Sequence, residues 1–223
     1  MPTTAKYPFR LALSRDPTPL SQVLPTTSSR FAQLPEGGRV EISQESWKIS
    51  RQVGQLIKNG GAGLFVDYGG PQLFGSSFRV CLLSSSSRPL QDLVDIKGFR
   101  NHKIVDIFDE PGSSDLTANV DFTYLSESLS TTGSHSVGPI PQARFLLGLG
   151  LEPRMSKLLE TASGERKEDI RKGATRLIDT LGMGSQYQVM GIEPGESGAG
   201  EVYPFPAKGS EGVEAALAKS ASS

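Results

Sequence analysis

The chain of 223 residues carries 23 basic and 24 acidic side chains, and its formal net charge of -1 argues against binding to a nucleic-acid backbone. Its one cysteine, Cys81, excludes an internal disulfide, and two histidines are too few for a zinc site built from cysteine and histidine. No apolar run reaches the roughly 20 residues that a membrane-spanning helix needs. We therefore expect no metal, no nucleic-acid partner and no membrane span, and we assign no chemistry to Cys81.

The first 40 residues are predicted to form an extended segment. The first 35 are rich in Ser and Thr and contain a single acid, Asp16, which is also typical of a mitochondrial targeting peptide. Prolines at positions 2, 8, 17, 19 and 25 argue against an amphipathic targeting helix. Residues 9–14 alternate apolar with small or polar side chains, as a half-buried strand does. We favour the extended segment, with one strand at residues 9–14.

A helix followed by a buried strand is predicted after residue 43. Ser43 can cap a helix that begins near Gln44. The side chains expected on its apolar face are Trp47, Ile49, Val53, Leu56 and Ile57. The apolar run at residues 62–66 predicts a strand buried on both faces, as in parallel sheets. Asp67 and Tyr68 would then lie at the carboxyl end of that strand, where such sheets bind ligands.

The remainder of the chain alternates predicted helices and strands. Asp121 is a plausible cap for a helix whose apolar face holds Phe122, Leu125 and Leu129. The elements expected after it are a short strand and turn at 135–139, helices at 142–149, 153–159 and 165–181, and a strand at 187–192. The side chains expected to face inward from the helix at 165–181 are Ile170, Ala174, Leu177, Ile178 and Leu181. Residues 194–223 are predicted to be a flexible tail with one weak helix at 213–219.

This order of elements predicts an α/β fold that corresponds to the carboxyl-terminal part of a Rossmann-like sheet with extra helices. The domain would span residues 41–193, between the extended segment and the tail. A nucleotide-type cofactor needs a glycine-rich turn between a strand and a helix. The glycines at 60–63 precede their strand, and those at 195–200 have no such context. The cofactor-binding amino-terminal half is therefore expected to be absent from this chain.

Short motifs of one known family are spread along the chain. They are Gly60-Gly61-Ala62, Asp67-Tyr68-Gly69, Phe99-Arg100-Asn101-His102-Lys103, Pro111-Gly112, Asp115-Leu116-Thr117-Ala118, Val120-Asp121-Phe122, Gly138-Pro139 and Met183-Gly184. In this order and at nearly this spacing, they resemble the MidA-type family of class I methyltransferases. The resemblance runs from about residue 9 to residue 192. It implies the carboxyl-terminal portion of a class I methyltransferase sheet.

The resemblance also implies an activity. Members of the family resemble S-adenosylmethionine-dependent enzymes, and the mitochondrial branch dimethylates an arginine of a respiratory complex I subunit during complex I assembly. It therefore implies a mitochondrial protein arginine N-methyltransferase, with S-adenosylmethionine as cofactor and a complex I subunit as protein substrate. The targeting segment is expected to be missing from this chain. The alternative is a non-catalytic chain that acts only as a binding or assembly partner.

Candidate site residues follow from the chemistry of arginine. A guanidinium stays protonated, so its methylation needs carboxylates that hold it and accept the proton. The acids with the best context are Asp67, Asp115 and Asp121. Asp115 and Asp121 have an equally simple explanation as turn and cap residues. The candidates for substrate binding, each with a structural alternative, are Tyr68, His102 and Gln142. No residue can be assigned to the cofactor, and the catalytic group stays open.

One segment interrupts the resemblance. Residues 80–97 separate Ser77-Phe78-Arg79 from Gly98-Phe99-Arg100, two pieces that are adjacent in the family. A valine codon begins with GT and one lysine codon ends in AG, so the 54 nucleotides that encode these 18 residues could be a retained intron that keeps the frame open. The competing explanation is a genuine surface-loop insertion, which a fold tolerates at small cost. We favour the retained intron, which predicts a loop with few packing contacts and no functional residue.

Overall fold

The computed structural model describes residues 12–75, 77, 116–195 and 201–206 in full, and residues 97–100 and 103–106 as backbone. The chain divides into two compact units, each built from two stretches. The first unit comprises Met1–Gln44 with Gln72–Asp121, and the second comprises Glu45–Pro71 with Phe122–Ser223. The division therefore differs from the three consecutive segments that the sequence predicts.

The described elements are numbered here in chain order. They are α1 (Pro19–Val23), α2 (Gln44–Ile57), β1 (Gly63–Gly70), β2 (Lys97–Arg100), β3 (Lys103–Asp106), β4 (Val120–Asp121), α3 (Phe122–Ser130), β5 (Ser134–Pro141), α4 (Gln142–Gly148), α5 (Leu151–Thr161), α6 (Glu165–Ile178), α7 (Met183–Gln186) and β6 (Tyr187–Pro194). Two 3-10 helices, Leu24–Thr27 and Ser29–Gln33, follow α1.

The amino-terminal segment is helical where an extended chain was predicted. Residues 12–14, the described part of the predicted strand, have no strand structure, while α1 and the 3-10 helices occupy most of 19–33. The hydroxyl of Thr18 accepts the backbone N–H of Ser21, and Pro19 occupies the first turn of α1. Proline suits this position because its fixed φ matches a helix and its missing N–H would have no partner there. The prolines therefore start a helix here.

Polar contacts join distant parts of the first unit. The guanidinium of Arg30 donates to both carboxylate oxygens of Asp121, at 3.2 and 2.9 Å. The carboxylate of Glu41 accepts both the hydroxyl and the backbone N–H of Ser77, the latter at 2.9 Å. The same hydroxyl accepts the backbone N–H of Asn119 at 3.0 Å. Beyond these contacts, β2 and β3 pair as an antiparallel hairpin, in which Lys97, the last residue of the 80–97 segment, lies opposite Asp106.

In the second unit, β6 lies between β1 and β5 and pairs antiparallel with both. Strands β1 and β5 therefore run in the same direction. The α/β fold predicted from the sequence is confirmed, but the position of the buried strand is different. Val189, Met190, Gly191 and Ile192 of β6 are buried, whereas Leu64 and Val66 of β1 are 54% and 49% exposed. The prediction that β1 is buried on both faces is thus wrong, because the side chains of Leu64 and Val66 stay exposed on one face, and the strand whose central residues are buried is β6.

Helices α2 and α3 are joined through small side chains. The Ser50 hydroxyl donates to the Leu125 carbonyl at 2.9 Å, and the Ser128 hydroxyl donates to the Trp47 carbonyl at 2.7 Å. Gly54 is also buried in α2. Leu56, predicted to face the core, is 81% exposed. The buried face of α2 is therefore centred on small residues, which allow the two backbones to approach, and the predicted apolar stripe is wrong in part.

The outcome differs between the predicted apolar faces of α2 and α3. Ile49 of α2 is exposed, contrary to the prediction. On α3, the predicted apolar face is confirmed, and its members Phe122, Leu125 and Leu129 are all buried.

The other side of the sheet is covered in part by residues 201–206. Phe205 packs against Ile140 of β5 and Val189 of β6, and the ring of Phe145 lies 5.8 Å from that of Phe205 between centroids. Residues 201–206 are therefore packed, although the sequence predicted a flexible tail from residue 194. The weak helix predicted at 213–219 lies outside the described residues.

The helices between β5 and β6 follow the prediction closely. Gly150, at a φ of +80°, separates α4 from α5, as the glycine in the sequence indicated. Helix α6 ends at Ile178 and not at the predicted Leu181, which is 90% exposed. The Asp179 carboxylate accepts the backbone N–H of Leu181 at 3.0 Å and so supports a turn in place of a further helical turn. Leu177 is likewise exposed, while Ala174 is buried as predicted.

Candidate functional site

The carboxyl ends of β1 and β5 lie at the same end of the sheet, together with the start of β6. Asp67 is opposite Gln188, and Gln188 is opposite Pro141 on its other side. Since neighbouring strands are about 4.8 Å apart, Asp67 lies roughly 10 Å from Pro141, the residue before Gln142. The fold therefore brings three predicted site residues, Asp67, Tyr68 and Gln142, to one end of the sheet. Ligands of parallel α/β sheets bind at the carboxyl ends of the strands, and two such ends, those of β1 and β5, lie here beside the start of the antiparallel β6.

Asp67 presents an exposed carboxylate at this end. One of its oxygens accepts the backbone N–H of Tyr68 at 2.7 Å, which holds the side chain toward the end of the strand. An exposed carboxylate held in this way can bind a cation through its second oxygen. Bidentate hydrogen bonding to a guanidinium would need both carboxylate oxygens, so the hydrogen bond from the backbone N–H of Tyr68 would have to break.

Tyr68 is paired with another tyrosine. Its ring centroid lies 3.9 Å from that of Tyr187, at an interplanar angle of 36°, and both residues are half-buried. They are directly opposite each other in the β1–β6 register. Such a pair contributes about 0.5–1.5 kcal/mol beyond the area it buries, and aromatic faces attract cations. The pair therefore stabilises the sheet and gives this end an aromatic surface. Alternation along β1 places it on the opposite side from Asp67.

The Gln142 side chain stabilises the fold. Its side chain is buried, and its amide donates to the carbonyl of Leu177 at 2.8 Å. Leu177 lies in the last turn of α6, where backbone carbonyls have no partner within the helix. The bond ties the start of α4 to the end of α6. This agrees with the alternative reading of Gln142 as a helix-start residue.

Of the other three candidate residues, the structure describes Asp121 alone. Asp121 belongs to the first unit, where its carboxylate forms an ion pair with Arg30 at 2.9 Å. Asp115 and His102 lie outside the residues that the structure describes. The described candidates that belong to the second unit are therefore Asp67, Tyr68 and Gln142.

Two clefts in the second unit were not indicated by the sequence. One follows α4, has a volume of about 630 Å³, and is bordered by Pro141, Arg144, Leu147, Thr180, Ser185 and Tyr203. The other, here called the sheet groove, has a volume of about 420 Å³ and is lined mainly by Leu64, Val137, Phe145, Leu149, Val202 and Phe205, with Glu193. Asp67 and Tyr68 border neither cleft. The residues that line the two clefts come from distant parts of the chain, so no local spacing in the sequence could have indicated the clefts.

A site for S-adenosylmethionine would need a glycine-rich turn that leads from a strand into a helix. Strand β1 ends in Gly69 and Gly70, yet residues 71–75 contain no helix. Strand β5 runs directly into α4, and Pro141 provides no side-chain cap. The described residues therefore do not fit this cofactor. They also contain no group of three metal-binding side chains, and none of their helices is long and apolar enough to cross a membrane.

Comparison with known proteins gives consistent matches. A family model of S-adenosyl-L-methionine-dependent methyltransferases matches residues 2–140. The protein named "Protein arginine methyltransferase NDUFAF7 homolog, mitochondrial" of Drosophila melanogaster is 34% identical over 192 residues, which cover 84% of this chain and 38% of that protein. The corresponding Danio rerio protein is 30% identical over 186 residues, 82% of this chain and 38% of that protein.

A solved structure supports the fold. The crystal structure of an uncharacterized protein from Burkholderia thailandensis matches with a TM-score of 0.53 at 23% identity, covering 69% of this chain and 38% of that one. At this identity the match concerns the fold alone. The chain thus spans 38% of the length of each of these three proteins.

Proposed function

This chain belongs to the MidA-type family of S-adenosylmethionine-dependent methyltransferases, and we propose that it is part of a mitochondrial protein arginine N-methyltransferase that acts in the assembly of respiratory complex I. The proposed cofactor is S-adenosylmethionine, and the proposed substrate is an arginine side chain of a complex I subunit. The observation that carries the proposal is the 34% identity to a protein named as an arginine methyltransferase, across 84% of this chain.

The contribution of this chain's own residues follows from the reaction. Transfer of a methyl group to a guanidinium nitrogen depends on alignment of the two reacting atoms and on removal of a proton. An exposed carboxylate at the end of the sheet where β1 and β5 finish can hold a guanidinium, which makes Asp67 the proposed acid. Tyr68 stays a proposed substrate-binding residue at this end of the sheet, on the opposite side of β1 from Asp67. Asp115 and His102 remain candidates on the strength of the sequence.

A second function is favoured by a different observation. The described residues lack a cofactor turn, and β1 exposes the apolar side chains of Leu64 and Val66. Exposed apolar side chains grouped on one strand are typical of surfaces that contact another protein. A chain with this surface and no cofactor would act in assembly by binding alone.

A gene-disruption experiment distinguishes the two functions. We expect disruption to remove dimethylarginine from a complex I subunit, detected by mass spectrometry, and to reduce assembled complex I on native gels. Wild-type protein should restore both. The Asp67→Asn variant should restore assembly incompletely and methylation hardly at all, whereas Asp169→Asn, which changes an exposed acid of α6, should behave as wild type.

The outcomes differ between the two proposals. Unchanged dimethylarginine together with defective assembly would contradict the methyltransferase and support the binding function. Unchanged methylation and assembly would contradict both.

A further inference from the structure

We propose that the sheet groove is a docking site for an extended segment of a protein partner in which an apolar side chain neighbours a lysine or arginine. The groove belongs wholly to the second unit. Its volume of about 420 Å³ falls within the range of natural binding clefts. Occupation of the groove does not depend on methyl transfer, so the docking site goes beyond the proposed function.

The depth of the groove is set by a glycine. Gly191 of β6 lies directly between Leu64 of β1 and Val137 of β5. A Cβ atom at position 191 would lie 2.6 Å from a methyl carbon of Val137 and 2.9 Å from the ring of Phe205. Any larger residue would displace these side chains, so the glycine keeps both close to the sheet. The remaining space lies next to them, toward Leu64.

The wall of the groove is apolar and open to solvent. Leu64 and Leu149 are both exposed large apolar side chains, and Phe145 and Val202 are partly buried beside them. Removal of such apolar side chains from water lowers the free energy of the complex. Aromatic and aliphatic residues accordingly dominate the centres of protein interfaces. Because the groove is open to solvent, a segment of another chain can enter it from outside. The apolar side chain of the partner segment is thus expected to contact Leu64, Phe145 and Leu149.

The charge of the groove is negative. Of the described residues that line it, Glu193 alone carries a charge at neutral pH. Its carboxylate lies 3.6 Å from Nε2 of His135, whose Nδ1 is 3.1 Å from the Gly195 carbonyl, and these contacts fix the acid at the end of β6. Glu201, immediately before the lining residue Val202, is a second exposed acid. An acid fixed at the end of an apolar groove is complementary to a basic side chain next to an apolar one.

The groove is separate from the end of the sheet that holds Asp67. Leu64 precedes Asp67 by three residues along β1, a separation of roughly 10 Å at the rise of a strand, and alternation places the two side chains on opposite faces. A partner held in the groove would therefore leave the other end of the strand accessible. Binding and any chemistry at Asp67 can consequently be measured independently.

The test is selection of a random nonapeptide display library against the immobilised chain. We expect the enriched peptides to pair Leu, Ile or Phe with Lys or Arg. One synthetic enriched peptide is then measured by fluorescence anisotropy. Glu193→Lys should weaken its binding by about tenfold or more and make a version with acids in place of the basic residues bind better. Leu149→Ala should weaken the basic peptide too. Leu158→Ala, which changes an exposed leucine of α5 outside the groove, is the matched control.

Each outcome decides the proposal, provided that circular dichroism shows the variants folded. Loss of binding in Glu193→Lys and Leu149→Ala but not in Leu158→Ala supports it. The proposal is overturned if the library yields no enrichment, if acidic peptides are enriched, or if the groove variants bind as wild type does. The proposal would also be overturned if the chain formed a concentration-dependent dimer that Glu193→Lys and Leu149→Ala abolish, because the groove would then bind a second copy of the chain.

Discussion

Replacing Gly54 by alanine puts a methyl group where α2 meets the chain that follows α3. A Cβ atom at this position would lie 2.3 Å from the hydroxyl oxygen of Thr132 and 3.2 Å from a methyl carbon of Leu129. The carbonyl of Gly54 also accepts the Ser134 hydroxyl at 3.0 Å, which limits how far α2 can move away. Alanine is favoured over glycine in a helix by about 1 kcal/mol, while overpacking costs about 1–3 kcal/mol. We therefore expect Gly54→Ala to destabilise the chain by up to about 2 kcal/mol.

Gly173 in α6 provides a matched control. It is exposed, and a Cβ atom there would have no neighbour within 4 Å. Gly173→Ala should gain the same helical propensity without a clash and stabilise the chain by about 0.5–1 kcal/mol. The difference between the two variants isolates the packing penalty, about 1–3 kcal/mol, and urea unfolding followed by circular dichroism measures it.

A third variant tests the cause of the penalty. Thr132→Ala removes the hydroxyl oxygen that the new methyl group would meet, so the double variant Gly54→Ala/Thr132→Ala should recover much of the loss. If Gly54→Ala proves as stable as Gly173→Ala, the close approach of α2 to Thr132 is wrong.

Three further predictions follow from other parts of the molecule. Isothermal titration of the 223-residue chain with S-adenosylmethionine should show no micromolar binding, because the described residues lack the glycine-rich turn, and a micromolar dissociation constant would contradict this. Arg30→Lys should lose the two-point contact with Asp121 and destabilise by about 1–2 kcal/mol in urea unfolding. The control is Arg171→Lys, at an exposed ion pair with Glu168, which should change the free energy of unfolding by less than about 1 kcal/mol. Equal changes in the two variants would show that the contact of Arg30 with Asp121 adds no more stability than an exposed ion pair. Deletion of residues 80–97 should leave the thermal midpoint unchanged or raise it, and sequencing of the mature transcript decides the origin of the segment, since consistent presence of its 54 nucleotides would establish a true insertion.

The sequence by itself located most of the regular elements of the second unit. Helix α3 with its buried Phe122, the glycine that separates α4 from α5, and strand β6 all follow from local periodicity and local stop signals. The sequence also placed Asp67 and Tyr68 at the end of a strand. Local patterns succeed in such cases because capping, turn formation and helical spacing depend on residues within a few positions of each other.

Only the tertiary structure decided which strand is buried and which surfaces stay exposed to solvent. An apolar run indicates that a strand belongs to a sheet, but the same run at β1 exposes Leu64 while β6 is buried, because burial depends on neighbours far away in the chain. Gln142 likewise bonds a carbonyl 35 residues away, which no local pattern could indicate. Phe205 reaches the core because Gly191 leaves space for its ring, and the sheet groove results from that same long-range packing.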